Sequence, residues 1–160
     1  LLVGVDQAWS PTLSASARAG AQYYDSDRTQ KVAPYLEASL TAALSRQSSL
    51  RWYNQLGYNG SQLGDFDARY SFSTGITANY QFSEKLTGNA GLGYVYSDYS
   101  ASDTQPAANE NQIFASLGLN YRITRKIAVE ASYSFTTISS DISFNDYDRH
   151  YTTLGVSATF

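Results

Sequence analysis

Residues Ile113 to Phe135 read IFASLGLNYRITRKIAVEASYSF, and this stretch decides the fold. Its first half places Ile113, Ala115, Leu117, Leu119, Tyr121 and Ile123 on one side of an extended chain. Phe114, Ser116, Gly118, Asn120 and Arg122 fall on the other. After Thr124-Arg125 the pattern resumes, with Ile127, Val129, Ala131, Tyr133 and Phe135 alternating with Ala128, Glu130, Ser132 and Ser134. Successive side chains of a strand point to opposite faces, so a period of two gives each strand one apolar and one polar face. A helix would scatter the same residues around its axis.

The pattern recurs along the chain. Leu13, Ala15, Ala17, Ala19, Ala21 and Tyr23 alternate with Ser14, Ser16, Arg18, Gly20 and Gln22. Tyr70, Phe72, Ile76, Ala78, Tyr80 and Phe82 alternate with Ser71, Ser73, Gly75, Thr77, Asn79 and Gln81, with Thr74 the exception on the apolar side. Nine strands are expected, near residues 1–9, 13–24, 32–44, 49–59, 67–82, 86–98, 112–123, 126–138 and 148–160. Short connections (Ser10 to Thr12, Ser45 to Ser48, Ser83 to Lys85, Thr124-Arg125) alternate with longer ones (Asp25 to Lys31, Gly60 to Phe66, Tyr99 to Asn111, Ser139 to Tyr147). That sorting by length is expected of a transmembrane barrel, with tight turns at one rim and loops at the other. The turns also repeat: Trp9-Ser10-Pro11-Thr12-Leu13, Phe82-Ser83-Glu84-Lys85-Leu86 and Ile123-Thr124-Arg125-Lys126-Ile127 share one form. A meander of like hairpins produces such copies.

Composition agrees. The 160 residues suit one domain, and no apolar run approaches the roughly 18 residues of a membrane helix. The mean hydropathy of −0.35 fits a membrane barrel, because only alternate strand residues meet lipid. Aromatics make up 14%, most of them Tyr, whose apolar ring and polar tip suit an interface. A net charge of −3 without any Lys/Arg block argues against a nucleic-acid partner. The absence of Cys excludes disulfides and thiolate metal sites, and no cofactor is expected. The sequence does not start with Met, so a targeting segment cannot be read from it.

The final residues Tyr151-Thr152-Thr153-Leu154-Gly155-Val156-Ser157-Ala158-Thr159-Phe160 resemble the terminal strand signal of bacterial outer-membrane proteins, with Gly155 and Phe160 as its marks and Ala158 a departure from it. Leu119 to Ile127, and Tyr147-Asp148-Arg149 ahead of the last strand, resemble the putative β-barrel porins. The resemblance implies an all-β, antiparallel up-and-down transmembrane β-barrel in a Gram-negative outer membrane, of which this chain is the C-terminal part. It implies recognition of Gly155 and Phe160 by the barrel-assembly machinery, and in some members a link to exopolysaccharide export. With Phe160 at the periplasmic rim, nine strands would put Leu1 at the outer rim. Since bacterial single-chain barrels have even strand numbers, at least one upstream strand is expected.

Alternation assigns Asp6, Arg18, Glu37, Arg51, Arg69, Arg122, Glu130 and Arg149 to the lumen, five Arg against three carboxylates. Guanidinium groups in a wet lumen favour anionic and hydroxyl-rich solutes. The alternative is a salt-bridged interior that passes nothing. Trp9, Tyr23, Tyr58, Tyr80, Phe82, Tyr96, Tyr121, Tyr133 and Phe135 are expected in two aromatic girdles. His150, the sole histidine, falls on the lipid side, and no hydrolase or phosphate-loop motif occurs, so no enzyme is expected. The acids Asp25, Asp27, Asp65, Asp67, Asp98, Asp103, Asp141 and Asp146 lie in or beside the loops, where divalent cations bridging lipopolysaccharide could use them. The expected function is a porin-like channel in contact with lipid and lipopolysaccharide, passing polysaccharide or small polar solutes. Its rival is a structural or adhesive barrel with a closed lumen, acting through its loops or anchoring a periplasmic or outer-membrane partner.

Overall fold

The computed structural model describes residues 1–26, 29–59, 69–100, 107–141 and 145–159. They form one antiparallel sheet in chain order: β1 (Leu2–Ser10), β2 (Leu13–Ser26), β3 (Thr29–Ala43), β4 (Ser48–Asn59), β5 (Arg69–Gln81), β6 (Leu86–Tyr99), β7 (Ala108–Arg122), β8 (Ile127–Ser140) and β9 (Tyr147–Ala158). Strands of 9 to 15 residues reach or exceed the length a tilted strand needs to cross a bilayer. β1 and β9 are the two edges. An edge in hydrocarbon leaves backbone groups unsatisfied at several kcal/mol each, so these edges are where the wall must be completed.

The sheet is curved. Ten described residues are buried (Ala33, Gly57, Ser71, Gly75, Gly93, Ser97, Tyr99, Ala108, Glu110 and Thr136), and the register puts all ten on the same face. A single layer shelters one face only by curling around it. The opposite face carries Val5, Leu36, Trp52, Ile76, Leu92, Leu117 and Leu154, all exposed. The accessible surface is 10902 Å². A compact soluble protein of this mass exposes about 8,000 Å². A single layer leaves that excess uncovered, and it includes the apolar convex face, for which lipid is the natural solvent.

The turns between β1 and β2, β3 and β4, β5 and β6, and β7 and β8 share one device. Ser10, Ser45, Ser83 and Thr124 each accept, on the side-chain oxygen, the backbone N–H two residues later, at 3.1–3.2 Å. Ser83 and Thr124 also accept the N–H three residues later, at 3.1 Å. A short hydroxyl side chain thus satisfies donors that the ladder cannot reach. Leu44-Ser45-Arg46-Gln47-Ser48 is a fourth copy, less visible in sequence because Ser48 replaces the closing apolar residue.

Several boundaries move. Asp25 to Lys31, expected as a long loop, is ladder up to Ser26↔Thr29. β7 begins at Ala108, not 112, because Asn109, Glu110 and Asn111 pair with Asp98, Ser97 and Tyr96. β8 runs to Ser140. Polar rim residues read as loop, yet backbone pairing continues as long as a partner strand is present.

One seam interrupts the ladder. β3 and β4 pair from Ala43↔Ser49 to Leu36↔Leu56 and then stop, although β2–β3 and β4–β5 run on to the loop side. The next hydrogen-bonded rung would join Pro34 to Tyr58, and proline has no N–H to give. The side-chain amide of Gln22 takes its place: its Nε2 donates to Tyr58 O at 2.9 Å and its Oε1 accepts from Tyr58 N at 3.0 Å. Pro34 O accepts instead from Tyr70 Oη at 3.0 Å. Gln22 crosses over Ala33, which is small and 8% exposed. A Cβ on Gly57 would stand 2.9 Å from Gln22 Oε1 and 2.7 Å from the Tyr35 ring, so only glycine leaves room.

Candidate functional site: the concave polar wall

The register places Asp6, Arg18, Glu37, Arg51, Arg69, Arg122, Glu130 and Arg149 all on the concave face. It adds Glu110, which sequence reading left in a loop, so four carboxylates face five Arg.

Near β1–β4 these groups are tied together. Arg18 lies 4.0 Å from Asp6 and donates to Glu37 at 3.3 Å. Tyr35 Oη donates to the other Glu37 oxygen at 2.8 Å and accepts from Gln55 Nε2 at 3.3 Å. Arg18 is the only basic side chain in an ion pair among the described residues. Arg122 is spent differently, its Nη2 donating to the turn carbonyl of Glu84 at 3.0 Å. Arg51 and Arg149 stay exposed. Beside Arg51 the wall has a recess of about 400 Å³, lined by Glu37, Ser39, Tyr53, Gln55 and Thr77.

The loop side of β5–β8 is packed. Tyr99 and Glu110 are 3% and 5% exposed, beside buried Ser71, Ser97 and Ala108. Glu110 accepts from Asn145 Nδ2 at 2.6 Å, with Tyr99 and Arg69 as its electrostatic neighbours. The Arg69 Nε is buried without a partner. The turn side of the same strands stays open, with Asn79, Thr87, Asn89, Asn120, Glu130 and Ser132 exposed.

Large rings on the concave face lie against the wall. A Cβ on Gly75 would stand 2.6 Å from Tyr53 Oη, and one on Gly93 would collide with the Phe114 ring. Each ring lies over the glycine directly opposite it in the neighbouring strand. Glycine removes the side chain that would otherwise prop the ring inward. Gly155 makes room in the same way for Glu130, whose Oε1 would lie 2.8 Å from an added Cβ.

On the convex face the register sets Tyr23, Tyr58, Tyr80, Tyr96, Tyr121, Tyr133 and Phe135, and Phe82 stacks edge-on against Tyr80 at 4.8 Å. Trp9 sits at the irregularity that ends β1. Tyr133 and Phe135 lie near the middle of β8, not toward its loop end, because that strand runs on to Ser140. His150 faces the same side, with Nδ1 2.8 Å from Tyr133 Oη and its ring 4.9 Å from that of Phe135. Asp141 and Asp146 accept backbone N–H groups of Asn109 and Ser140, which occupies them with capping. Asp25 and Asp98 are strand residues. Asp27, Asp65, Asp67, Asp103 and Phe160 lie outside the described residues.

A one-layer antiparallel meander, apolar and exposed outside, polar and sheltered inside, is the wall of an outer-membrane β-barrel. The family model described as "Putative beta-barrel porin 2" matches residues 1–160, and the chain belongs to that family of the bacterial outer membrane. Among solved structures, Ail, the attachment invasion locus protein of Yersinia pestis, is similar at 12% identity with a TM-score of 0.35, covering 92% of this chain and 95% of its own.

Proposed function

We propose that the concave face lines a water-filled passage for small polar and anionic solutes, sugars among them. The observation that carries this reading is the placing of rings over glycines: Tyr53 and Phe114 lie against Gly75 and Gly93 instead of standing out from the wall. Arg51 and Arg149 supply exposed positive charge, and the many Ser, Thr and Asn hydroxyl and amide groups suit hydrated solutes.

Single-channel recording of the protein in planar bilayers tests it. Steps of conductance with mild anion preference are expected, and a flat trace would remove the passage. A second reading, a closed barrel acting through its loops or with a partner, draws on the packed cluster of Tyr99, Glu110 and Asn145. Tyr99→Ala separates the two: a rise in conductance means a constriction, and silence in both proteins means a closed structural barrel. Gly155 and Phe160 we assign to recognition by the assembly machinery. Deleting Phe160 should then slow membrane insertion, and normal insertion would end that assignment.

A further inference from the structure

The turns that follow β3, β5 and β7 carry Arg46, Lys85 and the pair Arg125-Lys126, all exposed. None of these four is in an ion pair among the described residues, and one carboxylate, Glu84, shares their turns. In a chain of net charge −3 this rim is a local reversal of sign. Turns of successive hairpins stand two strands apart, so the cations recur at about 9.5 Å along the rim. Between the turns after β3 and β5 the concave edge has a groove of about 460 Å³, lined by Arg46, Gln47, Asn79, Gln81, Thr87 and Asn89. Its four side-chain amides bond no other described residue.

We propose that this rim and groove dock an extended acidic segment of a periplasmic protein, in polyproline II conformation with a carboxylate at every third residue. The tight turns of an outer-membrane barrel face the periplasm, which sets the compartment of the partner. The conformation follows from the interval between cations. A polyproline II chain has three residues per turn and rises about 3.1 Å per residue, so one of its edges presents a side chain about every 9.3 Å. That interval fits the hairpin spacing. A β-strand presents one face about every 6.7 Å and falls out of step. A helix comes near, at about 10.5 Å for seven residues, but its backbone groups are already paired and leave the groove amides unused. The polyproline II backbone has no internal hydrogen bonds, and Gln47, Asn79, Gln81 and Asn89 each offer it both donors and an acceptor. Anionic lipid head groups meet the cations from the convex side, yet the groove lies on the concave side, away from the bilayer. The docking site does not rest on the passage reading.

The test is fluorescence anisotropy of a labelled peptide of four Glu-Pro-Ala repeats, with the protein held in phosphatidylcholine nanodiscs so that the bilayer adds no competing anion. Saturable binding is expected. A peptide of the same composition with its four Glu gathered at one end should bind at least fivefold more weakly. Arg46→Gln combined with Lys85→Gln should weaken the repeat peptide at least tenfold and flatten its salt dependence. Asn79→Ala combined with Asn89→Ala should weaken it at least threefold with the salt dependence unchanged, since hydrogen bonds are lost and charge is not. Equal binding of the two peptides would mean attraction by charge alone and would overturn the site, as would full binding by both variants. Tighter binding of oligogalacturonate than of the repeat peptide would assign the groove to an acidic sugar chain and overturn the protein partner. The two pairs of substitutions remove different interactions, so the failure of one to fold still leaves the other decisive. Normal bilayer conductance without peptide binding would remove this proposal and leave the passage standing.

Discussion

The two ends of the concave wall are built from similar residues and behave differently. On the turn side of β5–β8, Asn79, Asn89, Asn120 and Glu130 stand in the open. On the loop side, Ser71, Ser97, Tyr99 and Glu110 are buried against one another. The strands are the same and their alternation is unbroken, so the difference comes from packing partners. Tyr99 is large enough to reach both Arg69 and Glu110, and Asn145 closes over them from the segment that leads into β9. A polar face is therefore no guarantee of a wet one.

The largest effect that would break this contrast lies in the loop-side cluster. Glu110→Ala should cost about 3 kcal/mol in urea unfolding of the folded barrel, since it leaves Asn145 without its acceptor and removes the carboxylate whose charge faces Arg69. Glu130→Ala on the open side should cost under about 0.5 kcal/mol. Equal losses would show that the two ends are not distinct. Moving from the inside to the outside sharpens the same comparison. Arg in place of Ala17 should destabilise by about 2–4 kcal/mol near the midplane, whereas Arg in place of the concave Ser16 should be much milder. A smaller loss, about 1 kcal/mol each, is expected for Ser83→Ala and Thr124→Ala, whose hydroxyls each accept two backbone N–H groups at the turn rim. The least disruptive change is Arg51→Gln combined with Arg149→Gln. It should leave unfolding within about 0.5 kcal/mol of the parent while moving the reversal potential toward cation preference. If the potential stays put, those guanidinium groups do not face the permeant ions.

Most of this wall was legible because period two is a geometric property of a strand and survives any choice of residues on its two faces. Ile113 to Ile123 and Ile127 to Phe135 could be assigned face by face for that reason. The rims were harder. Asn109-Glu110-Asn111 has the composition of a loop, so Glu110 was lost from the lumen set; extending the even-numbered face of β7 back from Phe114 through Gln112 would have reached it. Gln22 could not be found at all by pattern. Its role comes from Pro34, twelve positions away, and from the neighbouring strand register that brings Tyr58 opposite Pro34. The five Arg read as a positive lining, but Arg18 is bound by Asp6 and Glu37 and Arg122 by a turn carbonyl, which only three-dimensional neighbours reveal.

The recurring hydroxyl at the head of each tight turn has a consequence for how such walls change over evolutionary time. Each hairpin carries its own turn chemistry, so one can be copied or deleted without redesigning the junctions on either side. Every such event adds or removes two strands, or about 9.5 Å of circumference measured across the strands. Calibre in this architecture therefore comes in discrete sizes, a gauge set by counting hairpins, while the residues facing inward are left to adjust the lining within each size.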